Sequence, residues 1–299
     1  MLPVGDVPQG VETAAARIHV PCMSFAIVVL AAGLVVAWLV GEPFWVRRRR
    51  ERVGARPFPA AWRTILDRRV PYLRRLPAAL RRQLERHILV FLAEKRFAGC
   101  AGLEITDEIR VTIAAQACLL LVGRRTPGFP GLREVLVYPG AFVVERFHPV
   151  AAGSVVLQSQ EPRVLSGESW THGQVVLSWE SVLEGAALPD DGRNVVIHEF
   201  AHQLDQEKGY ANGAPWLGRK GRYPPWSRVL GEEYARLQYR TAVGEPSLLG
   251  AYGATSPAEF FAVASEVFFE RPREMAALHP VLYGELAMLY RLDPARWGA

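Results

Sequence analysis

Cysteine is scarce in this sequence: its 299 residues include only Cys22, Cys100 and Cys118. Three cysteines cannot form the disulfide framework of a small secreted domain, and no C-x-x-C pair is present to build a thiolate metal site. We therefore expect them to be small buried hydrophobic residues. A wholly disordered chain is also excluded, because half of the residues are hydrophobic and can support a packed core.

Charge is missing from one long stretch. Residues 22–41 read CMSFAIVVLAAGLVVAWLVG and contain no Asp, Glu, Lys or Arg. At about 1.5 Å per residue, such a helix is roughly 30 Å long, which matches the hydrocarbon core of a bilayer. The sequence therefore predicts one transmembrane helix over residues 22–41. Residues 1–21 form an N-terminal extension without a visible pattern, and Met23 is an alternative start of translation.

Basic residues are concentrated directly after this apolar segment. Residues 42–99 hold sixteen Lys and Arg against five Asp and Glu, beginning with Arg47–Arg50. The positive-inside rule places this side in the cytoplasm, and a cleaved signal peptide would carry its positive charge before the apolar run. We expect a single-pass membrane protein, with residues 42–56 as a basic juxtamembrane linker. An Arg-rich face against anionic lipid is expected here rather than a nucleic-acid surface.

The rest of the chain, residues 57–299, reads as one domain in which helices flank a small sheet. Apolar spacing predicts helices after Pro59, after Pro77 as far as Phe97, and over residues 107–123. Short β-branched runs predict strands over residues 134–140, 142–147, 154–160 and 174–179. Later helices are predicted over residues 194–209, 226–242, 256–273 and 279–291. Helices, then a sheet, then helices indicate an α+β fold.

The motif that carries chemistry is His198-Glu199-Phe200-Ala201-His202, which matches H-E-x-x-H. Residues four apart share one helix face, so both imidazoles can reach one metal ion. Zinc suits two imidazoles and a carboxylate, with one position left for water. Glu199 can take a proton from that water and return it to the leaving amine. The strand pattern at 173–179 (GQVVLSW) precedes the motif, where zinc peptidases commonly keep the edge strand that pairs with substrate.

A third metal ligand is needed, and spacing leaves several candidates. Asp205 lies seven residues after His198, on the same helix face. Glu259 lies on a separate predicted helix, and Glu266 follows it seven residues later. The spacing alone does not choose among them, although one helix cannot easily supply three ligands to a tetrahedral ion.

Several longer blocks accompany the motif. They are TDEIRVTIAAQACLLL (106–121), VLVYPGAF (135–142), GESWTHGQVVLSW (167–179), HEFAHQLD (198–205), AYGA (251–254) and SPAEFFAVASE (256–266). Together they resemble the Mlc titration factor A family of bacterial zinc-dependent peptidases. The resemblance covers about residues 57–295, nearly everything after the apolar segment, and is more specific than H-E-x-x-H alone.

The resemblance implies a zincin-like metallopeptidase domain with a gluzincin-like site. His198, His202 and Glu259 would hold zinc, and Glu199 would act as the base.

The resemblance further implies that Tyr252, seven residues before Glu259, stabilises the oxyanion of the tetrahedral intermediate. Asp205 and Glu266 would then orient the imidazoles. The expected protein is a zinc peptidase with one helix in the bacterial inner membrane and its catalytic domain in the cytoplasm, and it acts on a peptide or protein. The apolar segment is a departure, because it is not part of the family's shared core.

Two other functions remain open. A regulatory binding protein would use a structural or vestigial zinc site and tether a partner at the membrane. An intact base and tyrosine argue against it, since structural zinc sites are usually closed by four protein ligands. The second open function is that of a zinc hydrolase that cleaves an amide bond outside peptides. The family is named for binding a transcriptional repressor, but no pattern here identifies a surface for a protein regulator, and the substrate and oligomeric state do not follow from the sequence.

Overall fold

A computed structural model describes residues 22–124, 128–144, 163–165, 167–170, 173–187 and 191–298. The chain divides into two compact units. The first ends at Glu51 and the second runs from Arg52 to Ala299.

The first unit is occupied by most of one long helix, α1 (Cys22–Gly54). The helix includes residues 42–54, so the segment predicted as a linker is helical. One cause is an ion pair along the helix, in which Arg47 Nε lies 2.9 Å from Glu51 Oε1. Across the residues that the structure describes, no helix is both long enough and apolar enough to cross a membrane. The transmembrane helix predicted over residues 22–41 is therefore not shown.

The second unit begins with helices. They are α2 (Ala60–Arg69), a 3₁₀ turn (Pro71–Arg75) and α3 (Ala78–Glu94). α3 ends earlier than predicted because Lys95 turns away from the helix. Its Nζ donates hydrogen bonds to the carbonyls of Phe129 and Leu132, both at 2.8 Å, and the chain continues as strand β1 (Arg96–Gly99).

A four-stranded sheet forms the centre of this unit. Its other strands are β2 (Glu134–Tyr138), β5 (Gly167–Trp170) and β6 (Gln174–Ser178), in the order β1-β2-β6-β5. β1, β2 and β6 are parallel, and β5 is antiparallel to β6. Parallel neighbours need a crossover, and α4 (Asp107–Leu119), capped by Thr106, supplies the one between β1 and β2.

The prediction that GQVVLSW forms the edge strand is wrong. β6 is paired on both sides, and Val175, Val176 and Leu177 are buried in succession. A continuous apolar run of this kind is typical of a central strand covered on both faces. The edge is β5, which the sequence analysis did not assign as a strand. A separate antiparallel pair joins β3 (Phe142–Val144) to β4 (Arg163–Leu165), and the strand predicted over residues 154–160 lies outside the described residues.

Helices dominate the second half of the chain. They are α5 (Trp179–Ala187), α6 (Val195–Asp205), α7 (Tyr223–Ala242), α8 (Pro257–Glu270), α9 (Pro272–Leu278) and α10 (Pro280–Tyr290). The sequence predicted all of them except α5 and α9, within a few residues at each end. The helix predicted over residues 256–273 stops at Glu270, since Pro272 starts a new helix there. The small sheet and the helices that follow it agree with the prediction, but the order differs at the start, because β1 begins within the stretch predicted as helix and α4 lies between β1 and β2.

Helix α6, which carries the H-E-x-x-H motif, lies inside this arrangement. It contacts α4, α5, α8 and the strands β5 and β6. Phe200, within the motif, is fully buried, and its ring centroid lies 4.8 Å from that of Phe129 and 5.7 Å from that of Phe91. Such edge-to-face and tilted ring contacts add to the burial free energy of the side chains. The core therefore fixes the orientation of the motif helix.

Several arginines of the basic stretch are matched by carboxylates in the second unit. Arg63 pairs with Glu85 at 3.0 Å, and both Arg68 and Arg69 pair with Glu108. Glu85 is one of the five acidic residues of the stretch 42–99, whereas Glu108 lies outside it and adds one negative charge next to these arginines.

Candidate metal centre

The start of α6 is fixed by Asn194. Its Oδ1 accepts a hydrogen bond from the backbone N–H of Ile197 at 3.0 Å, which satisfies a donor at the helix terminus. The turn after this cap presents His198, and the next turn presents His202 on the same face, with ring centroids 4.9 Å apart.

A carboxylate from a second helix faces these two imidazoles. Glu259 Oε2 lies 2.9 Å from His198 Nε2 and 3.4 Å from His202 Nε2, and the three ligand atoms lie within 4.8 Å of one another. Ser256 positions the glutamate, because its Oγ caps α8 by accepting from the N–H of Glu259 at 3.2 Å. Ligands about 2.1 Å from a tetrahedral ion lie roughly 3.4 Å apart, so this donor set fits a small divalent metal.

The other two candidates for the third ligand lie elsewhere. Glu266 Oε1 is 2.7 Å from His198 Nδ1, the ring nitrogen that does not face Glu259. Asp205 is not part of the His198, His202 and Glu259 cluster among the described residues, and its Oδ2 accepts a hydrogen bond from the N–H of Gly213 at 2.6 Å. The structure thus brings Glu259 to both imidazoles.

The predicted orienting roles receive different support from the contacts. Glu266 contacts the imidazole of His198 directly. Asp205 Oδ1 and His202 Nδ1 are both buried without a hydrogen-bond partner among the described residues. Burial raises the pKa of Asp205 and the charge of His202 partly offsets that rise, so the two side chains are neighbours and the orienting role of Asp205 stays a prediction. The other oxygen, Asp205 Oδ2, holds the loop after α6 through the N–H of Gly213. Gly213 passes so close to α8 that an added Cβ would lie 2.5 Å from the carbonyl oxygen of Pro257.

Opposite charges at this centre stabilise one another. Burial alone would lower the pKa of His198, but hydrogen bonds to Glu259 and Glu266 raise it well above its usual value. Burial likewise disfavours ionised Glu259, yet the hydrogen bonds from His198 and His202 hold the pKa of Glu259 well below its usual range. Glu259 is therefore ionised at neutral pH, as a carboxylate ligand must be.

Glu199 lies between the two histidines in the sequence, and its side chain is buried. Its environment differs from that of Glu259. Burial raises the pKa of its carboxyl to about 7, and the neighbouring His198 and His202 only partly offset that effect. A carboxyl group with a pKa near neutrality can both accept and release a proton at physiological pH.

Tyr252 lies at the rim of the centre. It belongs to a 3₁₀ turn (Ala251–Ala254), and its ring centroid is 5.8 Å from that of His198. The residue is 57% exposed, so a molecule that reaches the metal ligands also reaches this tyrosine.

A buried polar network behind the centre was not predicted. The backbone N–H of Asn194 donates to Glu266 Oε2 at 2.5 Å, and its Nδ2 donates to Gln116 Oε1 at 2.8 Å and to Glu270 Oε1 at 3.0 Å. Asn194 therefore connects α4 and α8 to the carboxylate that contacts His198. The available signal was an asparagine directly before an apolar helix, together with two glutamates four residues apart on an apolar one.

A metal centre of this composition is typical of metallopeptidases. Residues 44–291 match the model of the glucose-regulated metallo-peptidase M90 family, and the chain belongs to that family. The resemblance seen in the sequence is thereby confirmed.

The relatives include proteins with a descriptive name. Mlc titration factor A of Klebsiella pneumoniae subsp. pneumoniae is 34% identical over 228 residues, 75% of this chain and 84% of the relative. Mlc titration factor A of Serratia proteamaculans is 35% identical over 219 residues, 71% of this chain and 81% of the relative. An uncharacterized protein of Synechocystis sp. is 39% identical over 261 residues, 87% of this chain and 94% of the relative.

The buried hydrogen-bond network around Asn194 makes the free energy of unfolding depend on pH through Glu270. Burial raises the pKa of its carboxyl from 4.5 to about 8, the bond from Asn194 lowers it, and the charge of Glu266 raises it. Below pH 4.5 the group is protonated in both states. As pH rises from there through 8, the unfolded chain loses this proton first, so native stability falls across the interval.

Glu270→Gln is expected to remove this loss, since glutamine keeps the acceptor for Asn194 without a charge. At pH 8.5 the variant should have a free energy of unfolding about 1–3 kcal/mol above the wild type, and at pH 5 the two should be similar. Urea unfolding at both pH values measures the difference. The exposed Glu232→Gln is the matched control; an equal effect of both variants at pH 8.5 would contradict the assignment.

Proposed function

We propose that this protein is a zinc-dependent metallopeptidase that hydrolyses peptide bonds. The observation that carries the proposal is the convergence of His198, His202 and Glu259 at the start of α8, with the buried Glu199 beside them. Two imidazoles and one carboxylate are the donors of many catalytic zinc sites, which keep the fourth position for water or substrate.

Each side chain at the centre has a part in the reaction. Zinc, when bound by the three ligands, supplies a Lewis acid that lowers the pKa of water to about 7. Glu199 accepts the proton of the attacking water and returns it to the leaving amine, which its near-neutral pKa allows. Tyr252 donates a hydrogen bond to the oxyanion that forms from the scissile carbonyl. Glu266 orients His198 through Nδ1.

The sheet edge supports a peptide as the substrate. β5 is antiparallel to β6 and contacts α6, and among the described strands it has no partner on its other side. An extended peptide can add to such an edge through backbone hydrogen bonds. The edge next to the motif helix is therefore the place where we expect the substrate to lie.

A binding role is the second candidate, and the relatives' name favours it. The name Mlc titration factor A describes a protein that titrates Mlc, so a regulatory protein partner is a reasonable proposal for this chain. Such a role would not need the proton transfer by Glu199, which separates the two functions.

We also propose that residues 22–41 attach the protein to the bacterial inner membrane, with the second unit in the cytoplasm. Support comes from the uncharged sequence and from large side chains that are more than half exposed, such as Ile27, Leu30 and Val36. Contiguous apolar surface of this kind marks a membrane or partner contact.

The metal assignment is tested by the zinc content of the protein after metal-replete purification. We expect about one zinc per chain in the wild type, loss of zinc in Glu259→Ala, and retention in Asp205→Ala, because Asp205 holds a loop instead of the metal. Circular dichroism shows that each variant is folded. Loss with Asp205→Ala and retention with Glu259→Ala would place the third ligand on α6 and overturn the site.

The catalytic proposal is tested with Glu199→Gln, which keeps the shape of the side chain but cannot accept a proton. We expect peptide hydrolysis to fall roughly 10²–10⁴-fold at unchanged zinc content. A quenched-fluorescent peptide library supplies substrates, and Glu232→Gln on the surface is the control. Full activity of Glu199→Gln at full zinc occupancy would refute the base assignment. No peptide hydrolysis by the wild type, together with Mlc binding that is equal in the wild type and Glu199→Gln, would favour the regulatory role.

Membrane attachment predicts that the full-length protein sediments with membranes, resists alkaline carbonate and is released by detergent. Deletion of residues 1–41 should move the protein to the soluble fraction, because the apolar segment is then gone. Recovery of the full-length protein in the soluble fraction would contradict the proposal. In spheroplasts, external protease should not cleave the second unit if it lies in the cytoplasm.

A further inference from the structure

A cavity of about 760 Å³ lies at the end of α10. Its lining comes from the segment 216–222, which leads into α7, from the last turn of α10 with Arg291, and from Arg124 in the turn after α4. None of the metal-centre residues lines this cavity, so it is a separate site.

Four arginines line the cavity: Arg124, Arg219, Arg222 and Arg291. Carboxylates match two of them. Arg124 Nη2 lies 3.5 Å from Glu207 Oε2 with both side chains buried, and Arg222 Nη2 lies 2.8 Å from Glu285 Oε2.

The other two arginines are exposed, and in the described part of the chain neither Arg219 nor Arg291 forms an ion pair. The lining therefore carries an excess of two positive charges. The C-terminus of α10 offers about half a negative charge from its carbonyl groups, which does not balance two guanidinium groups.

The walls also offer apolar surface. Leu289 is buried, Leu217 is partly buried, and Met288 contacts Arg222 through its sulfur, 2.7 Å from Nη1. The Met288 and Glu285 contacts hold the Arg222 guanidinium in place, so little side-chain entropy is left to lose on binding. A volume of this size falls within the range of small-molecule sites.

We propose that this cavity binds a phosphate monoester with an apolar substituent. A phosphate monoester carries a charge of about −1.5 to −2 at neutral pH, which matches the two unbalanced arginines, whereas a carboxylate carries only one. Guanidinium groups bind phosphate oxygens in bidentate geometry. The apolar substituent lies against Leu217, Met288 and Leu289.

Phenyl phosphate is the probe, because it combines a dianion with an apolar ring. It is titrated into full-length protein by isothermal calorimetry after treatment with EDTA, since phosphate also binds metal ions. We expect saturable binding of one molecule per chain that weakens as salt is added. Arg219→Gln and Arg291→Asn should each weaken binding about tenfold; asparagine is chosen because Arg291 has a positive φ of 57° that asparagine tolerates.

The control variant is Arg228→Gln, an exposed arginine on α7 that does not line the cavity, and its affinity should equal that of the wild type. Circular dichroism shows whether each variant folds. If Arg291→Asn does not fold, the test rests on Arg219→Gln, because Arg219 lies in a loop and has an extended backbone conformation. Absence of saturable binding at about 10 mM probe, or equal affinity in wild type and both variants, would overturn the proposal. If benzoate binds as tightly as phenyl phosphate, the proposal of a phosphate monoester is overturned and the ligand class becomes a monocarboxylate. The assay uses no metal and no peptide hydrolysis, so its outcome is independent of the proposed peptidase activity.

Discussion

The carboxylate of Glu266 is the group on which the candidate centre depends. One of its oxygens contacts His198 Nδ1, and the other accepts the backbone N–H of Asn194, the residue that caps the motif helix. A single buried carboxylate thus fixes both the start of α6 and the rotation of its first imidazole. Because the ring is held through Nδ1, Nε2 points to Glu259, and the second-helix ligand meets a preformed partner.

The surrounding core fixes the position of α6. Phe200 is packed among aromatic rings on the side away from the ligands, and strands β5 and β6 lie against the helix. The polar face of α6 is the unusual part of this core. His202 has a charged neighbour in Glu259, and Asp205 accepts a hydrogen bond from Gly213, although His202 Nδ1 and Asp205 Oδ1 have no hydrogen-bond partner among the described residues. On α8, burial raises the pKa of Glu270 to about 8, which keeps this carboxyl mostly neutral at pH 7.

The features that were predicted correctly are those that a local sequence pattern encodes. The helical spacing of α6 and its H-E-x-x-H motif predicted a helix with both histidines on one face, and Ser256-Pro257 predicted the start of α8. Spacing did not separate Glu259 from Asp205, because that choice depends on how α8 packs against α6. The Asn194 network and the position of β5 at the edge are pairings between distant residues, and no local pattern encodes them. The long helix α1 differs from the predicted anchor and linker because helical pairs such as Arg47 with Glu51 continue past the apolar run.

The contacts at the centre also join residues that are far apart in the chain: 61 residues separate His198 from Glu259, and 72 separate Asn194 from Glu266. These contacts exist only where α6 and α8 are packed against each other. A nascent or partly folded chain therefore carries the H-E-x-x-H helix without its third ligand and without the orienting carboxylate. The complete set of donors is therefore present only in molecules in which both helices have reached their packed positions.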